Sequence, residues 1–193
     1  LSPLLTEAAK RQAGEDFRVH EGRFEDVIFD ADDKFDLVMF SESFQYITLD
    51  TVLGDAARRL NPGGYILICD FFKTGAPGRS VIGGGHPVGK FDAVLRESGL
   101  EVLEDIDITG ETAPNLDIVD QMGKDLFHPT FQLIGYAFAS NHPWLARLLH
   151  WKYRKKIDKI NRKYLSGERN AASFSRHKVY RLLLLRKPQQ AAG

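Results

Sequence analysis

The sequence predicts an α/β protein, an open and mostly parallel sheet that carries a mostly helical insertion. Three observations predict it. Two short apolar runs, Phe35–Phe40 and Tyr65–Asp70, each break off into polar residues, as buried parallel strands do. One amphipathic helix lies between them, the alternation that builds a parallel sheet. A long stretch at 110–176 then separates these units from a final Leu-rich strand.

Each element follows from its residues. Residues 3–13 read as a helix, with Ser2 placed to cap it, Pro3 suited to its first position and Gly14 ending it. Phe17–Glu21 alternates and reads as a strand. Residues 22–34 form an acidic loop before the strand at Phe35–Phe40. In the helix at 49–60, Leu49, Val52, Leu53, Ala56, Ala57 and Leu60 share one face. Thr48 is its expected cap, and Asn61-Pro62-Gly63-Gly64 its stop and a tight turn. The strand at Tyr65–Asp70 leads into a glycine-rich loop at 75–89. A helix at 90–98 closes at Gly99. Glu101–Thr109 alternates as a strand, the insertion follows, and Val179–Arg186 is the last strand, bounded by Pro188. Gln189–Gly193 read as a disordered tail.

Composition bounds the class. A chain of 193 residues has room for one sizeable core. Its single cysteine, Cys69, excludes an internal disulfide framework and reads as a buried thiol in a reducing, cytoplasmic setting. No apolar run approaches the roughly 20 residues that span a bilayer. The six histidines show no metal-ligand spacing, so no metal is expected. The net charge of zero hides a division: residues 1–120 carry 11 Lys/Arg against 23 Asp/Glu, and residues 121–193 carry 15 against 3. Such a split implies two surfaces with different partners, or two halves that attract each other.

The order of elements and the wording of Phe35–Ser43 and Asn61–Asp70 resemble the second half of a class I S-adenosylmethionine-dependent methyltransferase, of the type 11-like, small-molecule or lipid kind. The resemblance runs from about Leu1 to Pro188. It implies a Rossmann-like sheet, here without the N-terminal strands and their glycine loop. It divides the chain into core (1–109), helical cap (110–176), final core strand (177–188) and tail (189–193). The absent strands would leave Phe17–Glu21 and Phe35–Phe40 unjoined and a sheet edge open. The polypeptide as made is therefore expected to be longer, or to borrow strands from a second copy. On its own the truncated chain is expected to be inactive if neither supplies them.

The implied reaction is methyl transfer from S-adenosylmethionine to a small, hydrophobic or lipid-like acceptor, leaving S-adenosylhomocysteine. The resemblance carries cofactor contact to Leu1, Ser2, Arg23, Phe24, Ser41, Glu42 and Ser43. Phe24 is placed to stack on adenine, although relatives usually carry an acidic and a small residue where this chain has Arg23 and Phe24. Gln45, Tyr46 and His86 are the catalytic candidates, for orienting a nucleophile or relaying a proton. Asp70, Phe71, Phe127, Phe131 and Tyr136 are the acceptor candidates, the last three from an aromatic segment of the cap. At 151–164, Leu149, Tyr153, Ile157, Ile160 and Tyr164 make one apolar face beside Lys152, Lys156, Lys159 and Lys163. That helix suits an anionic membrane surface, an acidic carrier protein or a phosphorylated acceptor, with nucleic acid disfavoured for want of a motif. A homodimer is a further expectation. The alternative to the enzyme is a methyltransferase-like binding or scaffold module that holds a partner through this helix.

Overall fold

The computed structural model describes residues 3–12, 18–27, 29, 33–78, 80–122, 124–125, 128–160 and 169–189. The elements in chain order are α1 (Pro3–Gln12), β1 (Phe35–Ser41), α2 (Leu49–Arg59), β2 (Leu60–Lys73), α3 (Val88–Glu97), β3 (Glu101–Asp107), α4 (Thr109–Thr112), α5 (Pro114–Met122), α6 (His128–Asn141), α7 (Pro143–Ile160), α8 (Ala171–His177) and β4 (Lys178–Arg186). A single 3-10 turn, Phe44–Tyr46, follows β1.

The sheet runs β1-β2-β4-β3. β1 and β2 are parallel, as a helical crossover through α2 requires. β4 inserts between β2 and β3 and is antiparallel to both. The strand of the sequence's far end thus lies inside the sheet, while β3 forms an edge.

Helices α2 and α3 cover one face. Val52, Leu53 and Ala56 of α2 and Phe91 and Leu95 of α3 pack on Phe40, Ile66, Ile68, Phe72, Leu183 and Leu185. Each large apolar side chain fully buried there contributes about 1.5–3 kcal/mol. On the opposite face Leu37 and Met39 remain 50% and 62% exposed. Among the described residues β1 pairs with β2 alone, so its outer edge carries unpaired backbone groups.

Three local expectations change. Arg18–Glu21 form no strand, because no neighbour supplies a ladder for them among the described residues, and Phe17 lies outside those residues. Asn61–Gly64 do not turn the chain sharply. They form a bulge within β2, with Phe35 opposite Leu60 and Leu37 already opposite Tyr65. A side chain at Gly64 would sit 3.0 Å from the Asn61 carbonyl and 3.2 Å from that of Asp36, so only glycine fits there without moving backbone. Thr48 occupies the N-cap of α2, but its side chain does not cap. Glu25 reaches across instead, its carboxylate accepting the Thr48 N–H at 3.1 Å.

Candidate active site

The carboxyl ends of β1 and β2 and the start of β4 converge on one cleft of about 590 Å3. Open α/β sheets gather ligands at this end of their strands. Glu42, Gln45 and Tyr46 form one wall just beyond β1. Val81–Gly84 form a second, Thr112, Asn115, Leu116 and Val119 of the α4–α5 region a third, and Phe71, Phe174 and Tyr180 the floor.

Glu42 is the described non-glycine residue with a left-handed backbone, φ 52°. That conformation costs energy and is retained where surrounding structure enforces it. Its N–H donates to the Cys69 carbonyl at 2.9 Å, extending the β1–β2 ladder by one rung. Its carboxylate accepts a 2.5 Å hydrogen bond from the Tyr180 hydroxyl. Burial and the neighbouring carboxylate push the Tyr180 phenol well above its ordinary range. Tyr180 is therefore a donor that fixes Glu42, and it does not serve as a base.

Asp70 lies beneath this wall, fully buried. Its carboxylate accepts from the Gln45 backbone at 3.0 Å, the Gln45 side-chain amide at 3.1 Å and the Phe71 N–H at 2.8 Å. Burial pushes the Asp70 carboxyl upward, with the Glu42 charge adding to it, against the pull of these donors. The Gln45 side-chain oxygen, Oε1, in turn accepts the Gly85 N–H at 3.1 Å. Gln45 thus ties the end of β2 to the glycine-rich loop. Lys178 fastens the same loop from the other side. It is 2% exposed, donates to the Gly84 carbonyl at 2.5 Å and lies 4.9 Å from the Phe71 ring centre. Burial, helped by the Lys73 charge, lowers its ammonium to about 8.

The structure brings some of the candidates to the cleft and places others elsewhere. Glu42, Gln45, Tyr46 and Phe71 line it, and Tyr46 is 79% exposed. Ser41 and Ser43 flank Glu42 on the same turn. His86 packs edge-on against Phe44 behind the wall, its Nε2 3.2 Å from the Phe44 carbonyl oxygen. Phe24 packs against Phe40 under the Arg59 guanidinium, 4.7 Å away, and so holds the edge of the core. Arg23 is exposed, and its carbonyl accepts the Asp26 and Val27 N–H groups to form a turn. Tyr136 is 75% exposed on α6, away from the cleft. Leu1, Ser2 and Phe127 and the side chain of Phe131 lie outside the described residues. Tyr180 and Lys178 escape sequence reasoning. Val179–Leu185 reads as a buried run, and only the register that sets Phe71 opposite Tyr180 reveals their place.

Residues 1–68 match the family model described as a methyltransferase domain. The [4+2]-cyclase SpnF superposes with a TM-score of 0.51 at 18% identity, over 85% of this chain and 53% of that one. A structure assigned as a sarcosine dimethylglycine methyltransferase from Galdieria sulphuraria gives 0.51 at 16%, over 82% and 55%. The fold is that of the class I methyltransferases. No curated protein matches the sequence. The chain spans about half the length of these solved structures. Within the methyltransferase fold, the described residues hold no group of three or more His, Cys, Asp or Glu suited to a metal, and no helix long and apolar enough to cross a membrane.

Proposed function

We propose that the protein takes part in methyl transfer from S-adenosylmethionine to a small, largely apolar acceptor. The observation that carries this reading is the Glu42–Tyr180 pair at the carboxyl end of β1, set on the wall of a 590 Å3 cleft. A cleft of that size matches small-molecule sites. The match of residues 1–68 to a methyltransferase domain supports the reaction class.

The residues present suit the methionine end of the cofactor. Ser41 and Glu42 are exposed at the end of β1, and Glu42 is held in a left-handed conformation that aims this turn outward. Phe24 does not suit the adenine, because Arg59 already covers its ring. Ser41, Glu42 and Ser43 would hold the cofactor, which when bound supplies a methyl group on a positively charged sulfur. Tyr180 holds the Glu42 carboxylate in place through its hydroxyl. Tyr46 offers an exposed ring against the acceptor. Gln45 and Lys178 position the Gly83–Gly85 wall, and His86 props the Phe44 turn. Phe71, Leu116, Val119 and Phe174 supply the apolar lining of the cleft, and positioning rather than proton transfer carries most of the rate. The acceptor's apolar character rests on these four side chains.

Calorimetric titration with S-adenosylhomocysteine tests the reading. The expected result is binding that Glu42→Ala weakens about tenfold or more, since it removes a charge-assisted contact. Tyr46→Ala should instead reduce turnover on apolar alcohols and amines while cofactor affinity is kept. A protein that binds no cofactor in any form would favour a binding module, the reading that the covered Phe24 ring supports. The cyclase neighbour is a reminder that one fold hosts several chemistries.

A further inference from the structure

The helical hairpin α6–α7 carries a surface that methyl transfer does not use. The two helices pack on each other, and α7 makes no comparable contact with any other element among the described residues. Helix α7 has two apolar faces. Leu149, Tyr153 and Ile157 line the cleft against α6, and Trp151 borders the same cleft. Trp144, Leu148 and Trp151, spaced four and three residues apart, form a second stripe that meets this cleft at Trp151. Trp144 and Trp151 are 71% and 75% exposed and Leu148 is 47% exposed.

The charge around that stripe is one-sided. Within α7 stand Arg147, Lys152, Arg154, Lys155, Lys156 and Lys159, against the single acid Asp158. Lys155 continues the stripe at the same spacing, while Lys152 and Lys159 run along one flank. Tryptophan has an apolar ring and a polar N–H, which suits the boundary between headgroups and acyl chains. An exposed aromatic stripe bordered by cations matches a helix that lies in the plane of a bilayer. An acidic protein partner would use the cations but leave two tryptophan rings without an apolar counterpart.

We infer that the Trp144–Leu148–Trp151 face of α7 docks on an anionic lipid surface, with the flanking lysines reading the headgroup charge. This inference does not rest on the methyl-transfer reading. Neither does it require a spanning segment.

The chain supplies its own probe, because Trp144 and Trp151 are its only tryptophans. The protein is mixed with vesicles of phosphatidylcholine alone, or of roughly three parts phosphatidylcholine to one of phosphatidylserine. The expected result is a blue-shifted tryptophan emission and co-sedimentation with the anionic vesicles, at least about tenfold stronger than with neutral ones. Salt should reverse it. Lys152→Glu, Lys155→Glu and Lys159→Glu together should reduce binding about tenfold or more. Trp144→Ser with Trp151→Ser, followed by sedimentation, should do the same with the helical circular dichroism unchanged. Equal binding to neutral vesicles, binding indifferent to both variant sets, or binding to polyglutamate with none to vesicles would each overturn the inference.

Discussion

At the residue scale, Lys178 joins structure to chemistry. It is a buried cation whose hydrogen bond, to the Gly84 carbonyl, goes to a neutral acceptor. Burial lowers its folded-state ammonium to about 8, from the ordinary lysine range near 10.5. Below that value both folded and unfolded chains carry the proton, and the folded chain bears the full desolvation cost. As pH rises through about 8 the folded chain releases the proton first, so this cost fades and stability rises. Lys178→Met should therefore differ most from the native chain near neutral pH. The native chain should gain stability relative to the variant as pH climbs toward the ordinary lysine range. Urea midpoints at a series of pH values would measure it, and a gap that does not change with pH would refute the account. The site was half legible from such residues. Glu42 and Tyr46 follow an apolar run that visibly ends, so their location was readable. Gln45 was readable as a polar group near the cleft, but not as a clamp, because its partners Asp70 and Gly85 lie 25 and 40 residues away.

At the element scale, the glycine-rich loop depends on its glycines for space. Gly85 has φ 78°, and a side chain there would stand 2.8 Å from the Phe71 carbonyl oxygen. Gly85→Ala adds a left-handed strain to that collision, a cost of about 1–3 kcal/mol. The loop should then shift and loosen the Gln45 contact. A thermal melt should show the lost stability, and proteolysis should cut the loop faster. An unaltered melt would mean that the loop relaxes freely and forms no firm wall. The helices and strands show where sequence reading succeeds. Helix α2 was legible because its apolar residues recur at helical spacing over three turns. Arg18–Glu21 misled because alternation marks a half-buried strand only when a neighbouring strand exists to pair with it. The outward stripe of α7 was missed for a related reason. Leu149, Tyr153 and Ile157 already supply one apolar face, and spacing alone does not say which face a neighbour takes.

At the scale of the whole molecule, α2 and α3 cover one face of the sheet, and on the other Ala113 and Phe174 pack on Tyr180 and Phe71 while Leu37 and Met39 stay exposed. Leu37 and Met39 stand beside a β1 edge that is unpaired among the described residues, an arrangement that invites another chain to add to it. The chain of 193 residues should therefore self-associate as its concentration rises. Met39→Lys should oppose this, since a charged side chain on an edge strand is a natural block. Sedimentation velocity over a concentration series would decide, and a monomer at every concentration would count against an accessible edge. The fold class was legible at this scale, because alternating strands and helices leave few topologies. The covered face was not, since apolar residues alternate on both sides of these strands.

The place of β4 has a consequence for how the molecule comes into being. Among the described residues β3 pairs with β4 alone, and β4 follows every other strand in chain order. Until Lys178–Arg186 emerge, β3 has no neighbour in the sheet, and the core lacks Leu183 and Leu185. The nascent chain must therefore hold these earlier strands in waiting, with apolar surface open to chaperones, until β4 slides between two that are already made.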